Sequence, residues 1–223
     1  MRPGGIAIVG IGGLGAPAAA ALASAGAGPL LLIDPDAVEL SNLPRQPLYG
    51  VDDVGRPKAE VAAARLRAAG ARAEARCERI DEANAERLLA GRDVVIDGTD
   101  GIAAKDLLNR AALALGAPLV HAGALGLEGQ IMSILPGRTA CLRCLFLSLP
   151  AEEDLASCQQ AGVLGPVVGA LGLAAAREAL AIAAGGEPPL AGRLALLDGA
   201  RLRWRAIEVR RNPRCPACGP RRG

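Results

Sequence analysis

Residues 6 to 15 read Ile6-Ala7-Ile8-Val9-Gly10-Ile11-Gly12-Gly13-Leu14-Gly15, and an Ala-rich stretch leads from there to Leu30-Leu31-Leu32-Ile33-Asp34. The first four residues form a short apolar run suited to a fully buried parallel strand. The G-x-G-x-x-G that follows lets a turn press its backbone N–H groups against phosphate oxygens. A helix is predicted from about Gly13 to Ala25, Pro29 marks the turn into the second strand, and that strand ends on Asp34. A carboxylate about 20 residues past the glycines can take both hydroxyls of a ribose. Strand, glycine turn, helix and acid together predict a nucleotide site holding Gly10, Gly12, Gly13, Gly15 and Asp34. The plainer alternative is a tight strand-to-helix turn and nothing more.

Outward from this unit, residues 35 to 55 form a long loop rich in Pro, Asn and Gly, and loops of that length inside a compact domain are usually functional. Ala59 to Ala69 reads as a helix carrying Arg65 and Arg67 outward, Arg72 to Ile80 as a weak strand, and Glu82 to Ala90 as a short helix. Asp93-Val94-Val95-Ile96-Asp97 is a buried strand that delivers Asp97-Gly98-Thr99-Asp100 at its carboxyl end, the edge where open α/β sheets bind ligands. A helix from Ile102 to Leu115 follows, then strands at Leu119-Val120-His121 and Gln130 to Leu135, joined by a connection short enough to make the sheet mixed. Residues 148 to 165 read as a flexible crossing segment, and Val167 to Ala184 as a helix with Arg177 and Glu178 as its charged face. Arg193 to Leu197 and Leu202 to Val209 close the chain as strands around Asp198-Gly199.

The 223 residues, 51% of them hydrophobic, support one substantial core and a single domain with a small appendage. A net charge of +2 and 1% aromatics argue against nucleic acid and against an anionic membrane surface as partners. The uncharged stretch from Pro3 to Ile33 is mostly Gly and Ala with its apolar runs in two short pieces, so neither a spanning helix nor a targeting segment is read there, and a cytoplasmic location is expected.

Six cysteines stand at 77, 141, 144, 158, 215 and 218. Cys141-Leu142-Arg143-Cys144 and Cys215-Pro216-Ala217-Cys218 have the spacing of two knuckles that close a four-thiolate tetrahedron, predicting a structural Zn²⁺, with iron or redox chemistry as the alternative. Cys77 is expected in the core as a small apolar residue. His121, the only histidine, is expected to be hydrogen-bonded at a strand end, and Asp97 to be structural, bonded to backbone N–H groups.

The stretch Asp34-Pro35-Asp36-Ala37-Val38-Glu39-Leu40-Ser41-Asn42-Leu43-Pro44-Arg45-Gln46, with Lys58 downstream and Asp97-Gly98-Thr99-Asp100 later, resembles the MoeB/ThiF/HesA family of ubiquitin-activating-like adenylyltransferases. The likeness runs from Ile6 to Cys218 with five separated motifs in order. It implies a Rossmann-like three-layer α/β fold with a mixed, mainly parallel sheet and a C-terminal pair of zinc knuckles contributing four cysteines. The nucleotide-binding half would span about 1–120, and the half with the mixed sheet, zinc and crossover loop about 121–223. It also implies that ATP is the nucleotide, that Asp36, Ser41, Asn42, Arg45 and Lys58 belong to its site, and that Asp100 holds Mg²⁺. The alternative for Asp36 is a cap on the turn after the strand and nothing more.

The implied reaction is adenylylation of the C-terminal Gly-Gly carboxylate of a small ubiquitin-like sulfur-carrier protein, with a separate protein as sulfur donor and a homodimer as the working unit. Cys158 stands where the thiamine branch has a cysteine that joins covalently to the carrier. The alternatives are a carrier-binding scaffold that has lost turnover and, less favoured, a nicotinamide-dependent oxidoreductase.

Some positions depart from the family pattern. Only five residues precede Ile6, with Arg2 the sole cation, where the family has an arm whose arginine reaches a neighbouring subunit's ATP site. Gly101 stands in place of Asn, Gly126 in place of a basic residue, and Lys105 where Arg is common. Arg201, Arg203 and Arg205 alternate with Leu202, Trp204 and Ala206, predicting a strand with one basic and one buried face. The basic face is either simply solvated or a dock for an acidic carrier.

Overall fold

Short apolar runs make the centre of the sheet. In the computed structural model, which describes residues 4–148 and 162–220, β1 (Ile6–Val9), β2 (Leu30–Ile33) and β4 (Val94–Asp97) are buried at every position. The other strands are β3 (Ala73–Arg76), β5 (Leu119–Leu125), β6 (Glu128–Ile134), β7 (Arg193–Asp198) and β8 (Arg203–Glu208). One sheet holds all eight in the order β3-β2-β1-β4-β5-β6-β7-β8. Pairing is parallel from β3 to β5 and antiparallel from β5 to β8. The chain winds one way from β1 through β2 to β3, then returns to place β4 on the other side of β1. The crevice at the carboxyl ends of β1 and β4 is therefore the switch point at which such sheets take ligands.

Alternating residues of those strands face two helical layers. Ile6, Ile8, Leu30, Leu32 and Ile96 share a core with α1 (Gly15–Ser24), α2 (Lys58–Ala68) and α6 (Gly165–Ala183). Ala7, Val9, Leu31, Ile33 and Val95 face the opposite core, built with α3 (Ala85–Leu89), α4 (Ile102–Leu115) and the short α5 (Leu142–Leu145), and it is into this core that Cys141 and Cys215 are set. Helix α6 is long and apolar enough to cross a membrane, the one such helix among the described residues. Here it lies across α1, β5 and β6.

Three expectations are corrected. Glu178 is no part of a charged face: it is 2% exposed, and its Oε2 accepts from the Ser133 hydroxyl at 2.8 Å and the Leu190 N–H at 2.9 Å, which makes burial of the carboxylate tolerable. Strand β8 has no buried face, because it is the sheet's outermost strand; Leu202 and Trp204 are 73% and 46% exposed. Cys77 is exposed, one residue past the end of the outer strand β3. The long loop contains two 3-10 segments, Leu40–Arg45 and Val51–Asp53. Residues 149–161 of the crossing segment, and with them Cys158, lie outside the described residues, as does Arg2.

Candidate active site and metal centre

The glycines of the first turn have different physical duties. A Cβ on Gly15 would fall 1.9 Å from the Gly10 carbonyl oxygen, so α1 can start this close to β1 only without a side chain. A Cβ on Gly12 would meet only the Gln46 amide, at 3.6 Å, and otherwise open space. Gly15 thus serves helix–strand packing, and Gly12 leaves the loop backbone open to a ligand, the division of labour that phosphate-binding turns require.

The loop is clamped from behind at Ile11. The Ile11 N–H donates to Asp34 Oδ2 at 2.6 Å, and the Tyr49 hydroxyl donates to the Ile11 carbonyl at 2.7 Å. Asp34 is 4% exposed, and its second oxygen accepts from the Asp36 N–H at 2.9 Å. Burial raises its pKa, opposed by those backbone bonds and by the charge of Lys58. Each Asp34 oxygen thus takes one backbone N–H and keeps a lone pair for a further donor. Asp36, two residues on, is 57% exposed at its side chain.

Lys58 is the first residue of α2, a helix end where the macrodipole disfavours a cation. It is 6% exposed, and Asp36 Oδ2, at 3.2 Å, supplies the compensating charge. Upstream, the Leu40–Arg45 segment buries Asn42, whose amide donates to Ser41 Oγ at 3.1 Å, while Arg45 donates to the Ser41 carbonyl at 2.9 Å. The Arg45 carbonyl oxygen lies beside Gly13, 3.4 Å from where its Cβ would be.

At the end of β4, Asp97 is wholly buried. It accepts from the Thr99 N–H at 3.1 Å, the Thr99 hydroxyl at 2.7 Å and Lys105 Nζ at 3.3 Å, and it bonds His121 Nδ1 at 2.8 Å. Burial alone would raise its pKa. The Lys105 charge and the His121 bond outweigh that and hold it at about 2. Burial lowers the pKa of His121, so the ring is neutral; Nδ1–H donates to Asp97 and Nε2 faces the Gln130 amide at 3.4 Å. Lys105 Nζ also donates to the Thr99 and Ala122 carbonyls at 2.6 and 2.8 Å. Residues 97 to 99 are thus fixed, and the exposed Asp100 is presented at the start of α4.

The four knuckle thiols converge, with all ligand atoms within 4.8 Å of one another. Cys141 Sγ lies 3.9 Å from Cys144 Sγ and 3.6 Å from Cys215 Sγ, and Cys144 Sγ lies 3.4 Å from Cys218 Sγ. A tetrahedron with Zn–S bonds of about 2.3 Å has edges of about 3.8 Å, so the donor set fits zinc. Against burial, the N–H groups of Cys218 and Ala217 lower the Cys215 thiol to about 7, while burial pushes the Cys141 and Cys218 thiols up, so metal binding would release protons from the cluster.

A family model described as the ThiF family matches residues 2–217. The chain is 42% identical over 217 residues to the sulfur carrier protein ThiS adenylyltransferase of Escherichia coli, covering 96% of this chain and 85% of that protein. It is 41% identical over 226 residues to the sulfur carrier protein adenylyltransferase of Thermus thermophilus, covering 98% and 83%. The chain belongs to the ThiF family. Among solved structures, Escherichia coli MccB with ATP superposes on this ThiF-family chain with a TM-score of 0.84 at 22% identity, covering 97% of this chain and 67% of that one, a likeness of fold.

ThiF proteins form an adenylyltransferase family, and in this member the fold brings most of the expected residues to one sheet edge. Gly10, Gly12, Gly13 and Gly15 leave β1, Asp34 and Asp36 leave β2, and Asp100 follows β4. Lys58 joins them through Asp36, and Arg45 through its carbonyl beside Gly13. Cys141, Cys144, Cys215 and Cys218 form a separate centre on the other face. His121 is hydrogen-bonded as expected, whereas Tyr49 and the Asp97 partner Lys105 carry structural weight that sequence reasoning did not assign to them. The one signal for Tyr49 was that it is the lone aromatic of the long loop.

Proposed function

We propose that this ThiF-family chain uses ATP to adenylylate the C-terminal carboxylate of a small ubiquitin-like sulfur-carrier protein ending in Gly-Gly, preparing it for thiocarboxylate formation. The observation that carries the reading is the glycine turn, clamped at Ile11 and open at Gly12, with Asp36 just past the neighbouring strand β2 and paired to Lys58 at the start of α2. ATP would lay its phosphates over Gly12 and Gly13, toward Arg45, Lys58 and Asn42. Its ribose would fall to Asp34, whose oxygens keep a lone pair each beside their backbone bonds, with the exposed Asp36 next to it. Asp100 would hold Mg²⁺, a hard cation suited to carboxylate and phosphate oxygens, which supplies charge neutralisation on the phosphates.

The reaction is an in-line displacement. A carrier carboxylate oxygen bonds to the α-phosphorus, the bond to the bridging oxygen breaks, and pyrophosphate leaves with the electron pair. Arg45 and Lys58 stabilise charge on the transferring group, and the fixed loop spares reorganisation at that moment. The four-thiolate centre would hold zinc with no open position, tying the C-terminal segment to α5. A separate sulfur donor and a homodimer complete the reading, and Cys158 is the candidate for a covalent link to the carrier.

The test is incubation of the full chain with ATP, Mg²⁺ and purified Gly-Gly-ended carriers, followed by intact-mass measurement of the carrier. One carrier gaining a mass of AMP supports the reading. Tight carrier binding with no AMP transfer to any carrier would replace it with a scaffold.

A further inference from the structure

Strand β8 is the outermost strand of the sheet, and every one of its residues is exposed. It also opens a stretch of one-sided charge. Residues 201 to 223 hold eight arginines and one acid, Glu208, out of 25 Lys and Arg and 23 Asp and Glu in the chain, so the 200 residues before them are net acidic with 17 and 22. Arg203 and Arg205 share one face of β8 and have no carboxylate partner among the described residues, whereas Arg201 pairs with Asp198. Trp204, the only tryptophan, stands exposed on the other face. Cations and an aromatic side chain around an unpaired strand edge are the residue types that anchor protein interfaces. The register also links this edge to the candidate ATP site. Asp97 is level with His121 of β5, and two residues past that level Gly123, Gln130, Leu196 and Arg205 align in one row across β5 to β8. The first three are half-buried, so the described residues do not close over the row, and its inner end, Gly123, lies beside the Lys105 side chain that braces the Asp100 loop. From β4 to β8 there are four strand spacings of about 4.8 Å, about 19 Å in all. An extended tail of about six residues covers about 20 Å.

We infer that the β8 edge docks the body of an acidic carrier protein, with Arg203 and Arg205 meeting its carboxylates and its Gly-Gly tail lying along the Gly123 row toward the nucleotide. The inference rests on the carrier-activation reading given above and adds to it the surface and the charge by which the carrier is held. A second copy of this chain fits the edge poorly. Antiparallel pairing of two β8 strands would bring their arginines together, and like charges set opposite each other destabilise a strand pair. A nucleic acid would find one exposed ring to stack on and a net acidic body behind it.

The test measures adenylylation rate against the concentration of the Gly-Gly-ended carrier that accepts AMP, for the full chain as wild type, as Arg203→Gln/Arg205→Gln and as Arg203→Glu/Arg205→Glu. The Glu pair should raise the carrier KM by about tenfold or more and the Gln pair by about threefold or more, with kcat and the calorimetric affinity for Mg²⁺-ATP within about twofold of wild type. Added salt should raise the wild-type KM and bring the three proteins together, because screening removes the attraction the variants lack. A carrier KM within about twofold of wild type in both variants overturns the inference. So does a KM change that comes with equal loss of ATP affinity, or failure of both variants to fold, either of which makes the arginines structural. Variants that leave the carrier KM alone and instead change the sedimentation mass of the chain, or its binding of an RNA probe, assign the edge to a second copy or to nucleic acid and likewise overturn it. A wild type that adenylylates no carrier overturns the site reading itself, a distinct result.

Discussion

Asp34 at the end of β2 and Asp97 at the end of β4 are both buried carboxylates, and both brace a loop at the same sheet edge. Their surroundings differ. Asp34 accepts from backbone N–H groups of Ile11 and Asp36 and has no cation in contact, so burial wins and its pKa rises. Asp97 has Lys105 and His121 against it, and its pKa falls to about 2. The glycine turn is thus braced by neutral dipoles, and the Asp100 loop by an ion pair within a network. In each case the buried acid holds the loop, and an exposed acid, Asp36 or Asp100, follows shortly after it.

Asp97→Asn should break this contrast most severely. It strands Lys105 Nζ, 14% exposed at its side chain, without its counter-charge, and loss of one partner of such a buried pair costs about 3–5 kcal/mol. Urea unfolding at neutral pH would read it. Because the folded pKa of Asp97 is depressed, its contribution is present above the unfolded carboxylate value and lost as pH falls from about 4 toward 2. The variant should lack that acid slope.

Asp34→Asn comes next. The Asn side chain has one acceptor oxygen in place of two, so either the Ile11 or the Asp36 N–H is left unpaired, at about 1–3 kcal/mol in the same unfolding measurement. Nucleotide affinity should drop with it, since the glycine turn loses its brace.

How much of this was legible in the sequence depended on how local the cause was. β1 and β2 are short all-apolar runs and β4 is one that ends on Asp97, and they were read directly. The four zinc-ready thiols were legible because two C-x-x-C spacings state the geometry of each knuckle. Glu178 was misread because its partner Ser133 lies 45 residues away, where no helical periodicity could announce it. The alternation in β8 suggested a buried face, but alternation cannot tell an edge strand without a covering layer from one inside the sheet. Asp34 was read as a nucleotide residue from its distance past the glycines; that its carboxylate also braces the glycine turn was hidden, because only the fold brings the Ile11 N–H to it.

A smaller effect sharpens the Asp97 side of the comparison. His121 is buried and neutral, with a pKa held below its ordinary value, so the unfolded chain binds a proton below about pH 6.5 that the folded chain refuses. Stability should therefore fall as pH drops below that value, by at most about 1.4 kcal/mol per unit. This chain has no other histidine. His121→Asn should remove that slope in urea-unfolding curves taken between pH 7 and 5, as the difference from wild type. The smallest stability effect belongs to Asp36→Ala: it takes the partner from Lys58 Nζ, 8% exposed at its side chain, but water reaches the Asp36 side, 57% exposed, so the loss is about 1 kcal/mol. If Asp36 faces the nucleotide, ATP affinity should fall in this variant at temperatures where it is fully folded, the reverse of what a bracing residue does.

We propose that the exposed acids past these two strands serve ATP-dependent activation of a carboxylate. ATP–pyrophosphate exchange by the full chain with Mg²⁺, with and without Gly-Gly-ended carriers, beside an Asp100→Ala variant of wild-type stability, tests it most directly. Exchange that requires one carrier and is lost with Asp100→Ala is the predicted result. Exchange that survives in Asp100→Ala, or none from a wild type that binds both ATP and carrier, would contradict it.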